Sequence, residues 1–185
     1  MAKQPPPASQ ISFKNPSERQ FVVSLGLQQL EKGEVSQKYL EFGKRYKKKI
    51  ESGYEPKASI RFVSDRVGDG AFAEERLKEG AYVAEYAGLV RENVPFYFVP
   101  INPYCYEYPL AGGGERGWVI DGRDGGNFTR FINHSYTPNL QPMYAFIDGL
   151  YHLIFLSLRQ IEKGEQLCYN YGSGYWSIRP PPEPL

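Results

Sequence analysis

The segments Arg130-Phe131-Ile132-Asn133-His134-Ser135 and Gly164-Glu165-Gln166-Leu167-Cys168-Tyr169-Asn170-Tyr171-Gly172 decide how this chain is to be read. In the first, Asn133 and His134 interrupt an apolar run with the texture of a buried strand. Buried polar side chains need hydrogen-bond partners, and a single buried histidine is most often a satisfied core residue. The second segment reads as a strand, Gln166–Tyr171, and strand geometry alternates side chains between two faces. Leu167, Tyr169 and Tyr171 therefore share one face, with Gln166, Cys168 and Asn170 on the other. Two tyrosines on one face suit either ordinary aromatic packing or the lining of an apolar channel with hydroxyls in it.

Upstream, Gly68-Asp69-Gly70-Ala71-Phe72-Ala73 leads through a second tight turn, Lys78-Glu79-Gly80, into Ala81–Tyr86 and then Ala87-Gly88. Gly68 and Gly70 carry no Cβ, so the backbone there can turn sharply or approach a ligand closely. By itself the motif is a plain hairpin turn within a meander. Short apolar runs continue the pattern: Ser59–Val63, Trp118–Ile120 and Tyr151–Leu158 read as further strands, punctuated by Gly112-Gly113-Gly114 and Asp148-Gly149. The spacing predicts a mainly β domain of several small sheets over 58–172, with no internal repeats.

The first 57 residues have a different texture. Residues 1–16 are polar and rich in proline, a composition that stays disordered until packed against something. Ser17 has the character of a helix N-cap, and Phe21, Val22, Leu25 and Leu30 follow at roughly helical spacing up to Gly33. A second helix is predicted from Val35, Tyr39, Phe42, Tyr46 and Ile50, ending at Gly53. Within it, Lys44-Arg45-Tyr46-Lys47-Lys48-Lys49 is the one strong charge cluster. A solvated face near a helix C-terminus accounts for it, and so does a contact to nucleic acid or to an import receptor. Beyond 172 the chain closes on Tyr175-Trp176 and prolines, giving three regions: 1–57, 58–172 and 173–185.

Composition narrows the functional classes. The 22 basic and 21 acidic residues nearly cancel, which argues against a polyanion binder over the whole surface. Two cysteines, Cys105 and Cys168, make no disulfide framework, and with His134 and His152 they have no metal-ligand spacing. No apolar run is long enough to span a bilayer, and the start MAKQPPPASQ has no signal-peptide core. The expectation is a soluble intracellular protein without a metal.

Three blocks, in order, resemble the SET-domain protein-lysine methyltransferase family: Gly68–Gly88, Arg130–Ser135 with Pro138-Asn139, and Gly164–Gly172. The likeness covers nearly all of 58–172. It implies a β-clip fold of small sheets whose C-terminal segment threads under a loop as a pseudoknot, against the usual rule on threading, and brings Asn133 beside Tyr171. It also implies S-adenosylmethionine as methyl donor, held by Gly68, Asp69, Gly70, Arg130, Phe131, Asn133, His134 and Trp176. Asn133 and His134 are expected to meet the cofactor mainly through backbone, and Arg130 to lie near its carboxylate. Trp176 and Tyr175 are expected to fold back over the adenine or to seal the core. Tyr171 matches the family's catalytic tyrosine. Tyr169 matches the position that limits how many methyl groups are added, so mono- or dimethylation is expected. Tyr104, in Tyr104-Cys105-Tyr106-Glu107-Tyr108, resembles a position beside the lysine channel.

The chain departs from many eukaryotic members in having Tyr136 where they place a cysteine, and no cysteine after 172. Zinc is therefore not expected, and the aromatic tail takes over the closing role. This compact form resembles SET proteins of chlamydiae and other intracellular bacteria, which implies a histone or histone-like substrate, the host's or the bacterium's own. The setting would be a bacterial cytoplasm or a host nucleus. Rival readings are a non-catalytic SET-like interaction module, a nucleic-acid binder led by 44–49, and a methyltransferase of non-histone proteins. The N-terminal helices offer a surface for a homodimer.

Overall fold

The computed structural model of the chain describes residues 9–93, 102–111 and 117–177. Residues 94–101 and 112–116, and the prolines of the tail, lie outside the described residues. Helix α1 spans Pro16–Glu31 and α2 spans Gln37–Glu51. The cap of α1 is Asn15 rather than Ser17: its side chain accepts the amide of Glu18, with Pro16 at the first helical position. Glu18 reaches back to the amide of Lys14 at 2.8 Å, so the acid three residues past the cap closes the first turn. Gly33 and Gly53, at φ 71° and 60°, end the two helices as expected.

Ten short strands follow among the described residues. β1 (Ala58–Ser64) pairs antiparallel with β2 (Gly68–Ala73). β3 (Tyr82–Glu85), β9 (Leu150–Ser157) and β8 (Leu140–Ile147) form one three-stranded sheet in that order. β4 (Leu89–Glu92), β6 (Trp118–Asp121) and β5 (Cys105–Tyr108) form another. β7 (Asn133–His134) and β10 (Cys168–Tyr169) make a two-residue parallel pair. Gly68-Asp69-Gly70 is thus the start of a strand. The turn itself is made just before it.

Both helices lie against the β8–β9 hairpin, and glycine sets how close they come. A Cβ on Gly43 would stand 2.0 Å from the Phe146 carbonyl oxygen, and one on Gly26 2.0 Å from that of Gly149. α2 buries Gly43, Tyr46 and Ile50 against this hairpin, as its periodicity predicts. α1 departs from expectation. It buries Val22, Gly26 and Gln29, but Phe21 stays half exposed at 50% and Leu30 at 38%. Its contact is a narrow one, backbone against hairpin turn, so the apolar stripe is not covered. Ahead of α1, Ser12 bridges to β4 through Ser12 N–H to Gly88 O (2.8 Å) and Val90 N–H to Ser12 O (2.9 Å).

The C-terminal segment is pinned on two sides. Cys168 pairs with Asn133 and Tyr169 with His134 in β7, while the Asn139 side chain accepts the Cys168 amide (2.9 Å) and donates to Gln166 O (2.8 Å). Ser135 N–H adds a bond to Tyr169 O at 3.1 Å. Within the strand expected over Gln166–Tyr171, Cys168–Tyr169 pairs with β7, while Gln166 bridges to Phe72 of β2 through Leu167 N–H to Ala71 O (2.8 Å). The several small sheets, the crossing of 133–139 with 166–171, and the two N-terminal helices are those expected from the sequence.

Candidate active site

Around this crossing the chain gathers its aromatic residues. Tyr171 lies 4.6 Å from Tyr169, 4.5 Å from Tyr175 and 5.5 Å from His134, ring centroid to centroid. Tyr169 also meets Phe155 (5.1 Å) and Tyr106 (6.2 Å), and Tyr106 meets Tyr86 (5.8 Å). The two tyrosines expected on one face are thus together, at the floor of an aromatic cluster. The Tyr171 hydroxyl donates to Ile132 O at 2.9 Å, and that of Tyr86 to Tyr104 O at 2.7 Å. Burial pushes the Tyr171 phenol well above the ordinary tyrosine range, with Tyr175 adding to it, and does the same for Tyr169 and Tyr86. Tyr106 is pushed up to about 12 by the same cause. These hydroxyls stay protonated at neutral pH.

The structure brings His134, rather than Asn133, into direct contact with Tyr171: the Tyr171 amide donates to His134 Nδ1 at 3.1 Å. An accepting Nδ1 carries no proton, and desolvation lowers the His134 pKa, so the imidazole is neutral with its hydrogen on Nε2. Asn133 instead reaches Asp69 O with its side chain at 3.1 Å, tying β7 to the glycine segment. A Cβ on Gly70 would stand 2.7 Å from Gln166 Nε2 and 3.0 Å from Asn133 Nδ2. A side chain there would have to push Gln166, Val63 and Asn133 aside.

Helix α3 (Ser173–Trp176) folds the tail back over this face. Trp176 stacks on Tyr171 at 5.9 Å and 9°, and its ring is 5.0 Å from His134. Tyr136 stands edge-on to His134 at 4.6 Å and is otherwise exposed. Arg130 departs from a simple role as carboxylate partner. Its Nη1 donates to Gly122 O (3.0 Å) and Arg123 O (2.6 Å), and its guanidinium lies over Tyr104 (5.3 Å) and Phe131 (4.7 Å). It braces the turn behind Tyr104.

Four buried donors in this region have no hydrogen-bond partner among the described residues: His134 Nε2, Trp176 Nε1, Gln166 Nε2 and Arg130 Nε. Orphaned buried donors are costly, and this set suits a ligand rich in acceptor atoms lying across β2, β7 and α3. Sequence reasoning passed over Tyr86, Tyr106, Gln166 and Asn139 as site residues. Tyr86, Asn139 and Gln166 stand inside the quoted blocks, and Tyr106 stands in the quoted run Tyr104–Tyr108.

A sequence profile described as SET domain matches residues 68–172. The chain belongs to the SET-domain family. Histone-lysine N-methyltransferase ash1 of Drosophila melanogaster is 31% identical over 118 residues, covering 60% of this chain and 5% of that protein. Histone-lysine N-methyltransferase trithorax of Drosophila virilis is 36% identical over 94 residues, covering 48% of this chain and 2% of its own length. A solved structure, ctPRC2 in an autoinhibited conformation bound to S-adenosylmethionine, superposes with a TM-score of 0.56 at 24% identity, over 66% of this chain and 16% of that one. The chain therefore spans only a small fraction of these relatives. No helix among the described residues is long and apolar enough to cross a membrane.

Proposed function

We propose that this SET-domain chain is an S-adenosylmethionine-dependent protein-lysine N-methyltransferase acting on a histone or histone-like protein. The observation that carries this reading is Tyr171, whose neutral hydroxyl is held on the Ile132 carbonyl inside an aromatic cluster, against the His134 and Trp176 rings with their orphaned donors. Gly68, Asp69, Gly70, Phe131, Asn133, His134 and Trp176 would hold the cofactor, with the free Nε of Arg130 turned to it. The His134 and Trp176 N–H groups supply donors for its acceptor atoms. When bound, the cofactor supplies a methyl group activated on a sulfonium.

The chain's own work is to bring a neutral amine to that group and hold it in line. Deprotonating a free lysine at neutral pH costs on the order of 4 kcal/mol. A channel walled by Tyr86, Tyr106, Tyr169 and Tyr171 desolvates the ammonium and lowers that cost, with water taking the proton. The Tyr171 phenol, kept protonated by burial, serves as an orienting hydroxyl and not as a base. With the Ile132 carbonyl it supplies oxygen atoms for C–H···O contacts to a polarised methyl. Most of the acceleration then comes from alignment. Tyr169 lies 4.6 Å from Tyr171, and burial keeps its phenol protonated, so a hydroxyl stands beside the Tyr171 ring to meet the amine or a water, which supports mono- or dimethylation.

The relatives' names support a histone substrate. The test is transfer of labelled methyl from S-adenosylmethionine to a panel of core histones, bacterial histone-like proteins and unrelated basic proteins. Label on histone or histone-like lysines is expected. Label only on the unrelated proteins would move the substrate class, and none on any protein would leave a non-catalytic binding module.

A further inference from the structure

Helix α2 carries a charge distribution that the methyl-transfer site does not use. Within Gln37–Glu51 six cations (Lys38, Lys44, Arg45, Lys47, Lys48 and Lys49) stand against Glu41 and Glu51. The helix is therefore at +4 in a chain whose total is +1, so the remainder is at −3. The near-neutral total hides a strongly positive element on an acidic body.

The structure separates the cations by role. Lys47, on the flank, is held by Asp148 at 2.7 Å and Glu51 at 3.6 Å. Lys49 lies 4.4 Å from the Tyr54 ring centroid. Lys44, Arg45, Lys48 and Lys49 are exposed and have no carboxylate partner among the described residues. At 3.6 residues per turn, Lys44 and Lys48 form one row and Arg45 and Lys49 the next, side by side over the last two turns. The opposite side of α2 is fully engaged: Gly43 meets the backbone of Phe146, and Tyr46 and Ile50 are buried. The cationic rows are thus presented on a rigid element and not on a free helix.

We infer that this outer face of α2 docks on the phosphate backbone of duplex DNA, without reading sequence. Two features favour that partner over others. A membrane-surface helix needs an apolar face to insert, and the apolar side of α2 is already spent on the β8–β9 hairpin. Single-stranded nucleic acid is bound by aromatic platforms on which bases stack, whereas here Tyr46 is buried and Tyr54 packs against Tyr82 with Lys49 over its ring. What is left is point charge on a convex rod, which suits sequence-independent phosphate contact. For a methyltransferase of a DNA-coating basic protein, the face would hold enzyme and substrate on one polymer. That consequence rests on the proposed function, whereas the binding does not.

The test is fluorescence anisotropy of the full chain with a labelled mixed-sequence duplex of about 20 base pairs, between 50 and 200 mM salt. Three to four neutralised phosphates give a log–log salt slope of about −3, so affinity should fall roughly 60-fold across that range. The surface variant Lys44→Glu/Arg45→Glu/Lys48→Glu should bind more than about tenfold more weakly, and Glu41→Lys should bind more tightly. Unchanged circular dichroism is expected of both. No binding at 50 mM salt, or equal binding by the charge-reversed variant, would overturn the inference. Stronger binding to anionic vesicles or to polyglutamate than to the duplex would overturn the choice of partner. Because the readout is binding, its failure is separable from failure of methyl transfer.

Discussion

Replacing Gly43 with alanine sets two effects of opposite sign against each other, and the structure decides between them. In a helix that touched nothing, the change would stabilise by about 1 kcal/mol, because glycine loses more backbone entropy on folding. In α2 the added Cβ would stand 2.0 Å from the Phe146 carbonyl oxygen and 2.9 Å from its carbon. That is more than about 1 Å short of ordinary contact, and the obstacle is backbone, which cannot swing aside. Helix and hairpin must therefore separate along the row that buries Tyr46 and Ile50. Overpacking of this kind costs about 1–3 kcal/mol, and the gap opened along the row adds lost dispersion. The net expectation is a destabilisation of about 1–2 kcal/mol, a fall in Tm of about 2–6 °C for a domain of this size. Urea unfolding followed by circular dichroism measures it, with the slope m unchanged. A variant more stable than the natural protein would refute the close approach of α2 to the hairpin.

Three further outcomes follow from the site and its supports. Asn139→Ala removes the bonds to Cys168 N–H and Gln166 O and leaves a buried amide without its partner, so stability should drop by about 2–4 kcal/mol in the same unfolding assay. Tyr169→Phe should shift products toward higher methylation states by mass spectrometry, and trimethyl-lysine as the main product of the natural chain would refute that role. The third concerns alkaline pH. Burial raises the phenols of Tyr86, Tyr108, Tyr169 and Tyr171 above their ordinary values, so the folded state holds protons that the unfolded state releases. Their contribution is complete below pH about 10 and is lost above it, at up to about 1.4 kcal/mol per tyrosine per pH unit. Stability measured from pH 7 to 11 should be flat below about 9, begin to fall above it as the buried Cys105 and Cys168 thiols, pushed up to about 11, lose their share, and fall steeply beyond about 10; a decline already complete by pH 9 would contradict it.

Much of this was legible in the sequence, for identifiable reasons. The ordered blocks 68–88, 130–139 and 164–172 carry the fold because each is tied to a backbone demand: a glycine with no room for a Cβ, an Asn-His pair paired with β10, and tyrosines on one face. Other features were hidden. The strand Leu140–Ile147 contains Pro142, which argues against a central strand, and β8 indeed lies at the edge of its sheet. Gly26 and Gly43 carry no signal of their own in the helical patterns, yet they are where the helices meet the hairpin backbone. The grouping of Gln166 with Gly70, and of Trp176 with His134, depends on long-range contacts that no local pattern encodes.

The most direct measurement is made on Tyr171→Phe, with turnover and cofactor affinity determined on the same preparation. The change deletes one hydroxyl and its bond to Ile132 O while keeping the ring against Tyr169, Tyr175 and Trp176. Methyl transfer to histone or histone-like protein should fall by at least about 100-fold, the loss expected when one positioned hydrogen-bonding group is removed from a transition state. The dissociation constant for S-adenosylmethionine, measured by calorimetry, should change by less than about threefold, equivalent to under about 0.7 kcal/mol. A variant that transfers methyl at the natural rate would contradict the account.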